Sequence, residues 1–216
     1  MSRVYILVEG QTEEAFVGEL LQKHYANAGL YLTPIIVNTS PGHKGGSVRY
    51  ARVRPQIERL CKQDPGAHVS TMFDLYALPD DFPGKLDPAR PAQGSGAQIA
   101  SFLEERLQQD IGQANFLPNI MVHEFEALLF VEPRQFTHWA DGRTAETLAD
   151  VRRNSMPEDI DHDPSGAPSK RILAVMPSYQ KTVHGPLIAC DIGLDAMRRD
   201  CPHFNGWLRK LEALVL

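Results

Sequence analysis

Carboxylates at three separated points of the chain each follow a short apolar run: Glu9 after residues 3–8, Asp74 after residues 68–73, and Glu124 and Glu126 after residues 119–122. Open α/β sheets bind ligands beyond the carboxyl ends of their strands. If the three runs are parallel neighbours, the acids meet at one edge of the molecule. Several hard oxygen donors at one crevice suit Mg²⁺ or Mn²⁺, an ion that neutralises a phosphate, activates water and stabilises a leaving oxygen. Taken singly, Glu9 or Asp74 serves equally well as a cap for the helix behind it. Only their convergence separates the two uses.

The third acidic group is ambiguous in geometry. In a helix begun by His123, residues 123 and 126 share a face and 124 points nearly opposite to 126, whereas in a strand carried on to 126 the two glutamates share a face. One of the two is therefore expected to be merely solvated. Positive charge for a pentacovalent phosphate or its leaving oxygen is on offer from Lys170, Arg171 and Lys181, and spacing does not choose between Lys170 and Lys181. His184 and His203 qualify for proton transfer by residue type. Arg49, Arg52 and Arg59 fall on one helical stripe and form a candidate path for a phosphate backbone. The loop Gly42-His43-Lys44-Gly45-Gly46 lacks the Walker spacing, so the chain is not expected to hydrolyse ATP itself.

These side chains need a scaffold, and the sequence supplies alternating strands and helices. Residues 3–8 are too short for a helix and end at Glu9-Gly10. Thr12 is placed to cap a helix that carries Phe16, Val17, Leu20, Leu21 and Ala28 on one face, with Glu13 and Glu14 in its first turn and Gly29 at its end. Residues 30–37 form a second strand. Tyr50, Val53, Ile57 and Leu60 mark a helix that Pro55 should kink or restart. Residues 68–73 form a third strand, residues 75–96 a long loop, residues 99–111 a further amphipathic helix and residues 119–122 a fourth strand. Crossover-sized connections between strands imply a parallel α/β sheet. From Pro133 onward the chain reads as helices broken by Pro157, Pro164, Pro168, Pro177 and Pro186, with an exposed acidic turn over residues 158–163. The expected organisation is an α/β core over residues 1–132 and a helical extension over residues 133–216 packed on it.

The 216 residues are 43% apolar and 23% charged, the profile of a globular protein and not of a disordered chain. No run approaches the roughly 20 apolar residues of a membrane helix, and Glu9 arrives too early for a secretory segment, so a cytoplasmic, membrane-free location is expected. Cys61, Cys190 and Cys201 make no CxxC pair and read as buried thiols; with His203 they lack structural-zinc spacing. A formal charge of −5 repels polyanions on average. Residues 168–216 nevertheless hold seven Lys/Arg against four Asp/Glu, so a phosphate-facing surface must be local.

The stretch Val8-Glu9-Gly10-Gln11-Thr12-Glu13-Glu14-Ala15-Phe16 resembles the first motif of Toprim domains, especially those of the overcoming-lysogenization-defect nucleases and their smaller relatives. That resemblance implies a mostly parallel, Toprim-like (Rossmannoid) sheet with helices on both faces and a helical C-terminal extension. It makes Glu9 the strand-end metal ligand or general acid/base, and Glu13 a second acid of this branch. Met72-Phe73-Asp74-Leu75-Tyr76 is similar to the second motif, in which the usual Asp-x-Asp reads Asp74-Leu75-Tyr76: the first aspartate carries over and the second does not. Asp80 or Asp81 on the following loop is its nearest substitute. Phe125-Glu126-Ala127-Leu128-Leu129 resembles the phenylalanine-glutamate-x-x-leucine helix start of the same small relatives, which implies Glu126 as a third ligand beside Glu9 and Asp74. A lysine of the site, Lys170 or Lys181, is also implied. Together with Pro168 to Arg171, Lys181 to Pro186 and Cys201 to Phe204, these segments resemble, over almost the whole chain, one prokaryotic family of unknown function whose members are thought of as partners of an ATPase in defence loci. The resemblance implies an Mg²⁺- or Mn²⁺-dependent phosphodiesterase or nuclease subunit acting on nucleic acid. The alternative is a non-catalytic module that docks on an ATPase or on nucleic acid.

Overall fold

The computed structural model describes residues 1–40, 43–44, 49–160 and 166–215. Gly42, Gly45 and Gly46 of the glycine-rich connector, and Asp161, His162, Asp163 and Pro164, lie outside the described residues. Strand β1 (Ser2–Val8) alternates strictly: Val4, Ile6 and Val8 enter one core and Leu7 the other, as a strand covered on both faces must. It pairs in parallel with β2 (Leu30–Ile36) on one side and β5 (His68–Asp74) on the other, while β3 (Asn38–Ser40) and β4 (His43–Lys44) form a separate antiparallel pair. The expected fourth strand is split into β6 (Phe116–Leu117) and β7 (Ile120–Met121), each of which pairs in parallel with β5. The order of the main sheet is β2-β1-β5-β6, with β7 further along β5. A mostly parallel α/β sheet is therefore the architecture.

Helix α1 (Gln11–Phe16) runs through a widened π-helical turn (Val17–Leu21) into α2 (Gln22–Tyr25), and left-handed Gly29 (φ 77°) closes the run. α3 (Tyr50–Gln63) and α4 (Gly96–Ile111) cover the opposite face, where Val53, Ile57, Leu103 and Leu107 pack on Val69 and Phe73. The remaining helices are α5 (Gly142–Asn154), α6 (Pro168–Val175), α7 (Lys181–Ile192), α8 (Leu194–Asp200) and α9 (Pro202–Glu212). They lie on the first face: Phe204, Trp207 and Leu208 share a core with Val4, Ile6 and Phe16. Ser2 Oγ donates to the Leu214 carbonyl, which ties the two ends of the chain together. Among the described residues no helix is long and apolar enough to cross a membrane.

Several local expectations are corrected. Gly10, not Thr12, caps α1, and its N–H donates to Glu13 Oε2 at 3.0 Å. Pro55 does not restart α3, which runs through it without interruption, and Pro186 does not break α7. The carbonyls that lose their partners belong to Ala51 and Thr182, both exposed, so water replaces the missing bonds. Glu158 is buried, not solvated: its carboxylate accepts the N–H groups of His203 and Phe204 at the start of α9, both at 2.9 Å. Cys61 and Cys201 are buried but Cys190 is exposed.

Candidate functional site

Asp74 ends β5 with the parity of Ser70 and Met72, which turns it toward the face that α7 covers. Glu9 leaves β1 one residue past its end. The two acids are linked by backbone: Glu9 Oε1 accepts the N–H of Asp74 at 2.7 Å, and Asp74 Oδ1 accepts the N–H of Phe125 at 3.0 Å. Among the described residues neither second oxygen accepts a further hydrogen bond. The Tyr76 N–H donates to the His123 carbonyl, pinning the end of β5 to the segment after β7.

That segment holds the surprise of the site. His123 adopts φ 66°, a left-handed conformation uncommon for any residue but glycine, and its ring is fully buried with Nε2 2.9 Å from the Glu158 carbonyl. After this twist a 3₁₀ turn (Phe125–Phe130) begins, and neither simple periodicity applies. Glu124 and Glu126 are both buried, which corrects the expectation that one is only solvated. Glu124 accepts hydrogen bonds from the N–H and Oγ of Ser169. Glu126, 1% exposed, lies 3.5 Å from the Tyr179 hydroxyl.

Lys181, in the first turn of α7, is the cation that the described ion pairs bring to these acids. Its Nζ stands 3.1 Å from Glu126 and 3.8 Å from Glu124, and its side chain keeps 46% exposure. α7 comes this close because Gly185 has no side chain. A Cβ there would meet the Tyr179 hydroxyl at 3.0 Å and the Phe125 ring at 3.1 Å. Lys170 follows Ser169 on α6 and is exposed. Asp81 does not reach the acids; it accepts the N–H groups of Tyr50 and Ala51 and caps α3.

Burial and mutual repulsion act on the whole group. Desolvation pushes the Glu9 carboxyl up to about 8, against the pull of the Asp74 amide, with Glu13 adding repulsion and Lys181 relieving it. Asp74 rises well above the carboxylate range, first by burial and then through Glu9, Glu13, Glu126 and Glu124. Burial likewise raises Glu13, and it raises Glu126 to about 7 although Lys181 opposes it. Burial pulls the Lys181 ammonium down, but Glu126 and Glu124 together hold it above its ordinary value. Five carboxyls around one ammonium would carry uncompensated negative charge once ionised, and their hard oxygens are the donors that Mg²⁺ or Mn²⁺ prefers. Among the described residues no three His, Cys, Asp or Glu side chains already stand as a closed cage for an ion.

The remaining candidates lie elsewhere. His203 pairs with Glu104 at 2.9 Å; burial lowers its pKa, but Glu104 outweighs that and raises it. His184 accepts the Gln180 N–H through Nδ1 at 2.8 Å and stands beside Tyr179. Arg49, Arg52 and Arg59 are exposed along α3. Sequence reasoning missed Tyr179, which carries no motif, gave Ser169 no role of its own within the Pro168 to Arg171 segment, and undervalued Glu124.

A parallel α/β sheet with acids gathered beyond the ends of β1, β5 and β7 is the class that fold and site define. Residues 8–212 match the family described as domain of unknown function DUF4276, and the chain belongs to that family. No curated protein matches it. Among solved structures it is similar to the C-terminal region of the Xanthomonas campestris pv. campestris OLD protein. The form phased with iodine is 16% identical with a TM-score of 0.46 and covers 100% of this chain and 96% of that one. For the form phased with platinum the values are 16%, 0.45, 99% and 92%.

Proposed function

We propose that the chain is a metal-dependent phosphodiesterase or nuclease subunit of a prokaryotic defence-type system, acting with an ATPase partner. The observation that carries this reading is the meeting of Glu9, Asp74 and Glu126 from three separate strand ends beside Lys181. The Toprim-like motifs around Glu9, Asp74 and Glu126 support it. Those three carboxylates would hold Mg²⁺ or Mn²⁺, which when bound supplies Lewis acidity toward a phosphate and lowers the pKa of water. Lys181, whose side chain stays half-exposed, would meet a phosphate oxygen and take up charge that builds in the transition state. Glu13, its carboxyl pushed above the ordinary range by burial and tied to the Gly10 amide, is placed for proton transfer beside Glu9. The Asp74 and Phe125 amides hold the acids in place without a reorganisation cost.

Glu9→Gln and Asp74→Asn keep shape and remove charge. Each is expected to weaken Mn²⁺ binding in calorimetric titration and to abolish cleavage, with the fold retained. An acid that merely capped a helix would instead lose about 0.5–2 kcal/mol on truncation and little on amidation. Normal metal binding and cleavage by both amides would overturn the reading. A docking module without chemistry is the second reading, favoured by Tyr76 at the place of the usual second aspartate and by the lack of a closed cage among the described residues. The partner follows from the missing Walker motif and the acidic charge. Co-expression with an ATPase encoded beside it should give a complex stable to size exclusion, and full activity of the isolated monomer would count against the partner.

A further inference from the structure

A file of rings leads from the acids to the surface. The Tyr179 hydroxyl stands 3.5 Å from Glu126 Oε1, the Tyr179 ring lies stacked beside His184 at 6.0 Å between centroids, and His184 meets Trp139 edge-on at 5.6 Å. Tyr179 is buried while Trp139 is 36% exposed, so the file opens outward. Two of the rings are held in plane by hydrogen bonds. The Trp139 indole N–H donates to Asp191 Oδ2 at 3.2 Å, and His184 Nδ1 accepts the Gln180 N–H at 2.8 Å. Because the indole N–H lies in the ring plane, Asp191 sits at the indole edge and not over its face, and it also pairs with His138 at 3.3 Å. Lys181 lies one helical turn before His184 on α7 and reaches the same Glu126 that the Tyr179 hydroxyl faces.

A rigid aromatic face, exposed beside an ammonium and two ring-widths from a carboxylate cluster, has the form of a stacking site for an unpaired base whose phosphate turns toward the cation. We propose that Trp139 and His184 form a base-stacking subsite for single-stranded nucleic acid, which delivers the adjoining phosphodiester to Lys181 and the acids. The subsite rests on the phosphodiesterase reading and adds its substrate class: a flipped or unpaired nucleotide. In a paired duplex every base face is already covered by its neighbours, so a duplex has nothing to offer the indole.

Fluorescence tests it, because the chain has two tryptophans and Trp207 is buried at 2% exposure. The intact protein is titrated without metal with a twelve-nucleotide oligo-dT, an abasic strand of equal phosphate number, and a duplex of equal length. Oligo-dT should quench the emission and bind about tenfold or more tightly than the abasic strand, the change expected for one base–aromatic stack. Trp139→Ala should lose the quench and a similar factor of affinity, while Trp139→Phe, which keeps a ring, should retain most of the affinity and controls for folding. Equal binding of the dT and abasic strands, preference for the duplex, no binding at all, or unchanged affinity in Trp139→Ala would each overturn the proposal. Glu9→Gln separates the two readings. Lost cleavage with an unaltered response to Trp139→Ala removes the subsite alone, and stacking by a protein that never cleaves removes the phosphodiesterase alone.

Discussion

Glu9 is a carboxyl whose folded surroundings oppose its charge. Its pKa rises from 4.5 to about 8, so between those values the folded protein holds a proton that the unfolded chain has released. Stability of the metal-free protein therefore falls as pH rises through this window, and Glu9 weighs on it most above pH 8. Glu9→Gln removes that burden. It is expected to melt higher than the parent chain at pH 8 in chelator, with the gap closing near pH 5, and Mn²⁺ should raise the melting temperature of the parent far more than that of the variant. A gap independent of pH in differential scanning calorimetry would refute this. The acids themselves were legible in the sequence because each directly follows an apolar run. What was illegible is the left-handed turn at His123, which no periodicity encodes and which admits Glu124 and Glu126 together.

At the scale of elements, Glu158 shows how a residue that reads as solvent-exposed becomes structural. It accepts the first amides of α9 from a turn 45 residues earlier. The anion meets the positive end of the helix, which offsets part of its own burial penalty. Glu158→Ala should cost about 0.5–2 kcal/mol in urea denaturation, as loss of an N-cap does, and Glu158→Gln less, since its one amide oxygen still accepts one of the two N–H groups. Equal costs would mean that the single remaining hydrogen bond contributes nothing without the charge and its second acceptor. Strands β1, β2 and β5 were readable as short β-branched runs with turns behind them. Helix α7 runs through Pro186, and α3 does not restart at Pro55, because a proline's effect depends on whether the orphaned carbonyl can reach water, and only the tertiary structure decides that.

Across the whole molecule, both layers of helices present charge to the acid edge. α7 brings Lys181 from one face. From the other, α3 begins at that edge, since Asp81 in the segment after β5 caps it. Arg49 and Arg52 therefore lie at this end of α3, whereas Arg59, seven residues beyond Arg52, is about 10 Å along the helix. Among the described residues none of the three is engaged in an ion pair, unlike neighbouring Arg54, which is held by Glu58 and Asp110. A chain with a net charge of −5 repels a polyanion at long range, so binding must come from local pairing of arginine with phosphate, each pair releasing counterions. The double variant of Arg49 and Arg52 to Ala should weaken oligonucleotide binding and flatten the slope of log affinity against log salt by about one for each phosphate no longer neutralised. Arg59→Ala should do less, because it lies away from the edge where cleavage is proposed. If the slope stays unchanged even when all three are replaced, the backbone does not cross α3, and the positive charge that guides it must lie on the α6 and α7 side, at Lys170, Arg171 and Lys181.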